Sequence, residues 1–148
     1  MSDKQERQFV DTNVLVYAHD QSAEGKHQQA GELVASLWQS EEGCLSVQVL
    51  QEFYVTVTRK LKRPLPPNEA AQLIADLGLW RVHRPTVTDI LDAIQLQERY
   101  QVSFWDAMIL QSAAQLKCSI VWSEDLNDGQ IYGQVRVQNP FSHQYDNV

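Results

Sequence analysis

Short apolar runs alternate with helix-length amphipathic stripes along this chain, and that alternation narrows the folds open to it more than any other feature. Strand-like runs fall at 8–10, 44–46, 81–83, 119–122 and 134–137. Between them lie stripes at helical spacing, such as Ala30, Leu33, Val34, Leu37 and Trp38, then Leu50, Phe53, Tyr54, Val57 and Leu61. Pro66-Pro67-Asn68 punctuates the chain before a third stripe of Ala70, Leu73, Ile74 and Leu77. Thr86 with Asp89 has the spacing of a capping box and opens a fourth, Val87, Ile90, Leu91 and Ile94. Such alternation predicts βαβ units and a mainly parallel sheet with helices on both faces. Functional residues in sheets of this kind gather in the crevice beyond the carboxyl ends of the strands.

The bulk properties agree with one domain spanning 1–148. A length of 148 residues, with 43% hydrophobic and 21% charged side chains, suits a globular chain with a sizeable core. No run approaches the ~18 apolar residues of a membrane span. The polar first eight residues do not form a secretion signal, so a cytoplasmic location is expected. Cys44 and Cys118 share no metal or redox spacing and are expected as reduced core residues. The net charge of −7 argues against a general nucleic-acid coat protein. It is unevenly spread, however. Arg59-Lys60-Leu61-Lys62-Arg63 holds four of the twelve basic residues, which permits local phosphate binding.

Four acidic stations stand at the edges of the apolar segments: Asp11 after Phe9-Val10, Glu52 in the second stripe, Asp106 after Ser103-Phe104-Trp105, and Asp125 after Ser123-Glu124. Each has an ordinary structural explanation. Asp11, Thr12 and Asn13 all favour helix capping, and Ser103-x-x-Asp106 has capping-box spacing. Asp125 suits an Asx turn, with Glu124 and Asp128 as rivals for any role beside it. Glu52 shares a sector roughly 80° wide with Gln48, Thr56, Arg59 and Arg63, which is equally a solvated helix face. Their joint placement points elsewhere. Carboxylates that meet at one sheet edge repel one another unless a divalent cation lies among them. On a helical wheel Asp106 falls between Trp105, Ile109, Leu110 and Ala113, where an unpaired carboxylate would cost several kcal/mol. Arg59, ~10 Å along the helix axis from Glu52, and Arg63 would extend the same face as a phosphate track.

These stations resemble the PIN domain, in particular the VapC-like toxin ribonucleases of toxin–antitoxin pairs. The likeness runs from Phe9 to Phe141. It is carried by Phe9-Val10-Asp11-Thr12-Asn13-Val14-Leu15-Val16-Tyr17-Ala18, by Ser103-Phe104-Trp105-Asp106-Ala107-Met108-Ile109, and by Ser123-Glu124-Asp125-Leu126 with Asn139-Pro140-Phe141. The resemblance implies a three-layer α/β/α sandwich around a mainly parallel sheet of four to five strands. It also implies endonuclease activity on single-stranded or loop RNA, with Mg²⁺ or Mn²⁺ at the centre. By the same likeness Asp11, Glu52, Asp106 and Asp125 are the four catalytic acids, with Asp11 and Asp106 the metal ligands. Thr12, Asn13 and Ser123 match the polar residues beside them. Many relatives carry Thr-x-Asp-x-Asp-Phe where this chain has Ser-Glu-Asp-Leu-Asn-Asp-Gly, so Asp128 stands as an alternative fourth acid. A small antitoxin, a homodimer and an RNA substrate are the implied partners, with no membrane.

Competing chemistries have less support. Hard oxygen donors suit Mg²⁺ or Mn²⁺ rather than zinc. His19, His27, His83 and His143 show no paired spacing and read as surface or packing residues. Ser46, Ser103, Ser112 and Ser123 lack a base partner in sequence. A haloacid-dehalogenase-like phosphatase would need an acid where Asn13 stands. A PIN-fold scaffold that binds RNA or protein without cutting is the non-enzymatic alternative.

Overall fold

A computed structural model describes residues 6–142; His143 lies outside them. Strand β1 (Gln8–Val10) leads through α1 (Thr12–Tyr17) and α2 (Gly25–Ser40) to β2 (Gly43–Ser46). Helices α3 (Val47–Arg59) and α4 (Pro67–Leu77) precede β3 (Arg81–His83), and α5 (Val87–Tyr100) and α6 (Phe104–Gln115) precede β4 (Ile120–Trp122). A hairpin of β5 (Ile131–Tyr132) and β6 (Val135–Gln138) ends the sheet, whose order is β3-β2-β1-β4-β6-β5. Every pairing is parallel except β5 with β6.

This order explains the layers. From β1 the chain steps to β2 and then β3, so right-handed crossovers place α1 to α4 on one face. The step back from β3 to β4 puts α5 and α6 on the other. The central strands are buried on both sides, as Phe9, Val10, Cys44, Leu45 and Val121 show. In α6 seven consecutive residues, Ala107 to Ala113, are buried between the sheet and α5. Its first turn emerges, as do Ala114 and Gln115 at its other end, and the first turn matters for Asp106. The capping box expected at Thr86 and Asp89 forms in both directions. Cys44 and Cys118 are buried free thiols, and Cys44 Sγ donates to the Glu42 carbonyl at 3.7 Å. Among the described residues no helix is long and apolar enough to cross a membrane.

The sheet has six strands rather than four to five. The additional one, β5, is two residues long, too short for a period-2 signal, and Ile131 faces solvent. It pairs through the turn at Gly133, whose φ of 64° suits a two-residue hairpin connection.

Candidate active site

The sheet order reverses at β1, because the chain leaves it towards β2 and later returns on its other side as β4. That switch point opens a crevice beyond the strand ends. Asp11 follows β1 directly and caps α1, its Oδ1 accepting from the Thr12 N–H at 2.7 Å. Ser123, directly after β4, donates its hydroxyl to Asp11 Oδ2 at 2.8 Å and accepts from the Asp125 N–H at 3.1 Å. The end of β2 supplies Ser46, which caps α3 and so aims that helix and Glu52 along the crevice. Glu52 Oε1 accepts the Thr12 hydroxyl at 2.6 Å, and Oε2 the Gln48 amide at 3.4 Å. Asn13 donates to Asp125 Oδ2 at 3.2 Å.

Asp106 enters from the opposite layer. Ser103 Oγ accepts the Asp106 N–H at 3.1 Å, but the reciprocal bond of a full capping box is not among those at this cap. The helical wheel placed Asp106 in a packed apolar sector; it stands instead half-buried at the emerging turn of α6, beside Trp105, which is 62% exposed. The reason is that α6 is buried all round further along, so the wheel has no solvent side from which to take its bearings.

All four acids line one cavity of about 480 Å³, together with Thr12, Asn13, Gln48, Lys60 and Trp105. Their electrostatics are those of a crowded anionic site. Burial first, then the charges of Asp125 and Asp106, raise the Asp11 pKa from 3.8 to about 7 against the opposing bonds from Ser123 and Thr12. Asp125 is also raised, by burial first and then by Asp106 and Glu124. Hard carboxylate oxygens destabilised by one another fit a divalent cation, whose charge reverses the repulsion. The acids face a common space rather than a finished cage: among the described residues no group of three ligating side chains stands ready to hold a metal ion.

The other sequence-derived residues sort clearly. Thr12 and Ser123 are buried, and their hydroxyls bond the Glu52 and Asp11 carboxylates. Asp128 Oδ1 accepts the Asn139 N–H at 2.9 Å and lies outside the cavity lining, leaving Asp125 as the fourth acid of the cleft. Glu124 is drawn off by Lys26 at 2.8 Å and by Tyr17. The Lys26 ammonium also lies 4.9 Å from the Tyr17 ring centre and 5.2 Å from that of Phe141. The proposed arginine track does not run along α3. That helix stops at Arg59, with Lys60 as its C-cap and Pro64 beyond, so Arg63 leaves the helix face and lines a different cavity. Lys60 is the cation that lines the cleft. Sequence reasoning placed Gln48 on the Glu52 face without giving it a role, and passed over Lys26, whose partner is 98 residues away.

The PIN domain family profile matches residues 9–130. Comparison with curated proteins finds no match. Among solved structures, the Mycobacterium tuberculosis toxin VapC20, described as cleaving the sarcin-ricin loop, is 21% identical with a TM-score of 0.61, over 87% of this chain and 98% of that one. A toxin–antitoxin complex from Klebsiella pneumoniae gives 17% identity and a TM-score of 0.65, over 90% and 98%. DNA-bound VapBC from Salmonella typhimurium gives 16% and 0.63, over 91% and 98%. At such identities the likeness is one of fold.

Proposed function

From the premise that the chain belongs to the PIN domain family, we propose that it is a divalent-metal-dependent endoribonuclease, the toxin of a toxin–antitoxin pair, built as a single domain. The observation that carries this reading is Asp11. A carboxylate buried at the switch point, with its pKa pushed up to about 7 beside two further acids, is a liability for stability and an asset for metal binding.

In this reading Asp11 and Asp106 hold the cation, Mg²⁺ or Mn²⁺, and their oxygen donors suit either. The chemistry a bound divalent cation supplies is acidification of the attacking water and stabilisation of charge on the scissile phosphate. Glu52 and Asp125 orient that water and take up its proton. Thr12 and Gln48 fix the Glu52 carboxylate, Asn13 fixes Asp125, and Ser123 fixes Asp11. Lys60 offers an RNA phosphate a positive contact at the rim. The Klebsiella and Salmonella complexes support an antitoxin partner, and a homodimer belongs to the same reading.

The test is cleavage of single-stranded RNA with Mg²⁺ or Mn²⁺ by the wild type, Asp11→Asn and Asp106→Asn. Each substitution should reduce the rate by more than the ~10–100-fold typical of losing a supporting partner. Cleavage that survives both contradicts the site. RNA binding without cleavage by the wild type supports a scaffold instead.

A further inference from the structure

A second cavity, of about 400 Å³, lies where the end of α1, the start of α2 and α4 meet the segment after α3. Its polar lining includes His19, Asp20, Gln21, His27, Arg63 and Glu69. His19 Nδ1 lies 3.0 Å from the Leu15 carbonyl, and His27 Nδ1 lies 2.9 Å from the Tyr17 carbonyl. A carbonyl oxygen only accepts, so each Nδ1 carries the hydrogen, and a ring in its neutral form then keeps its lone pair on Nε2. Both rings are half-buried in the wall of the cavity. Burial, with His27 nearby, holds the His19 pKa below its ordinary value, consistent with a neutral ring.

The lining excludes several occupants. A bare metal ion fits poorly, because the Arg63 guanidinium shares the space. A simple anion could pair with Arg63 but would leave the two imidazole lone pairs without a donor. An apolar ligand would leave those acceptors and the guanidinium without partners, at a cost of several kcal/mol. What matches is a neutral heterocycle bearing an amino group, attached to a phosphate. The location agrees. Lys60 lines the acidic cleft and Arg63 lines this cavity, and three residues of chain reach at most ~10 Å.

We propose that this cavity is a base-reading subsite for a nucleotide flanking the scissile phosphate. His19 and His27 accept through Nε2 from an exocyclic amino group, and Arg63 binds the adjoining phosphate. The site rests on the ribonuclease reading for its substrate, but its recognition chemistry is separate from the acids. It discriminates adenine or cytosine, which carry an exocyclic amine on the pairing edge, from uracil, which does not.

The experiment uses the full chain carrying Asp106→Asn, so that RNA stays intact. Short homopolymers of adenylate, cytidylate and uridylate, and inorganic phosphate alone, are titrated while the imidazole Cε1–H signals of His19 and His27 are followed by NMR. Adenylate or cytidylate should shift both signals to saturation, at roughly tenfold lower concentration than uridylate. Arg63→Ala should weaken that binding about tenfold. His27→Phe, which keeps a ring in place but removes the acceptor, should erase the preference over uridylate. Equal shifts with uridylate, shifts with phosphate alone, or RNA binding that leaves both signals unmoved would each overturn the subsite. None of those outcomes touches the ribonuclease reading, which fails if Asp11→Asn and Asp106→Asn still cut RNA or if the wild type binds RNA without cutting it.

Discussion

Asp11 and Asp89 are both buried aspartates, 6% and 5% exposed, yet their surroundings drive them in opposite directions. Asp89 accepts from the Gln111 amide at 3.0 Å, from the Thr86 N–H at 2.8 Å and its hydroxyl at 3.2 Å, and pairs with His83 Nε2 at 3.1 Å. Gln111 and Thr86 above all, then the charge of His83, hold its carboxyl below the ordinary range. Asp11 has two donors, Ser123 and Thr12, and two acidic neighbours, and its pKa goes up to about 7. The first is a carboxylate the fold has fully provided for at the junction of β3, α5 and α6. The second is a carboxylate whose provision is incomplete, and that incompleteness marks the functional edge of the sheet.

The contrast is broken most sharply by one experiment on stability without divalent metal. Asp89→Ala strips acceptors from a buried network and should cost on the order of 3 kcal/mol. Asp11→Asn should have the opposite sign and stabilise the metal-free protein above neutral pH by roughly 1–4 kcal/mol. The pH dependence follows from the same shifts. Between 3.8 and about 7 folded Asp11 keeps a proton that the unfolded chain has lost, so its contribution to stability falls as pH rises through that window. Asp89 is depressed, so its contribution is present above the ordinary carboxylate pKa and lost as pH falls below it. Denaturant melts of wild type and both variants across pH check the two signs. Equal signs would dissolve the distinction.

A smaller effect sharpens it. Thr12→Val removes the hydroxyl that holds Glu52 Oε1. It should lower the cleavage rate about tenfold, as loss of a supporting partner does, with little change in RNA affinity. A rise in KM alone would instead make Thr12 a substrate contact. Smallest of all, Lys60→Ala should weaken RNA binding a few-fold and reduce the slope of log affinity against log salt by about 1. An unchanged slope removes Lys60 from the phosphate path.

The sheet was legible because each central strand is a short continuous apolar run buried on both faces, and the acids stood where those runs stop. Asp11 needed only its position after Phe9-Val10 to be placed in the crevice. Arg63 was misplaced because a helical wheel assumes the helix continues, whereas the Lys60 cap and Pro64 end it. Asp106 was expected deeper than it lies, since its helix is buried round its whole circumference one turn later. Neither the Lys26–Glu124 pair nor the cavity joining His19, His27 and Arg63 has a sequence signal. Both arise from crossovers that bring together residues with no shared period.

The most direct measurement of the central claim is a Mn²⁺ binding isotherm near neutral pH, read by electron paramagnetic resonance with parallel measurement of proton release. Wild type should bind the ion and release protons as Asp11, poised at about 7, gives up its own. Asp11→Asn should bind far more weakly and release fewer protons. Equal affinity and equal release from the two proteins would show that the acids at the strand ends hold no catalytic cation.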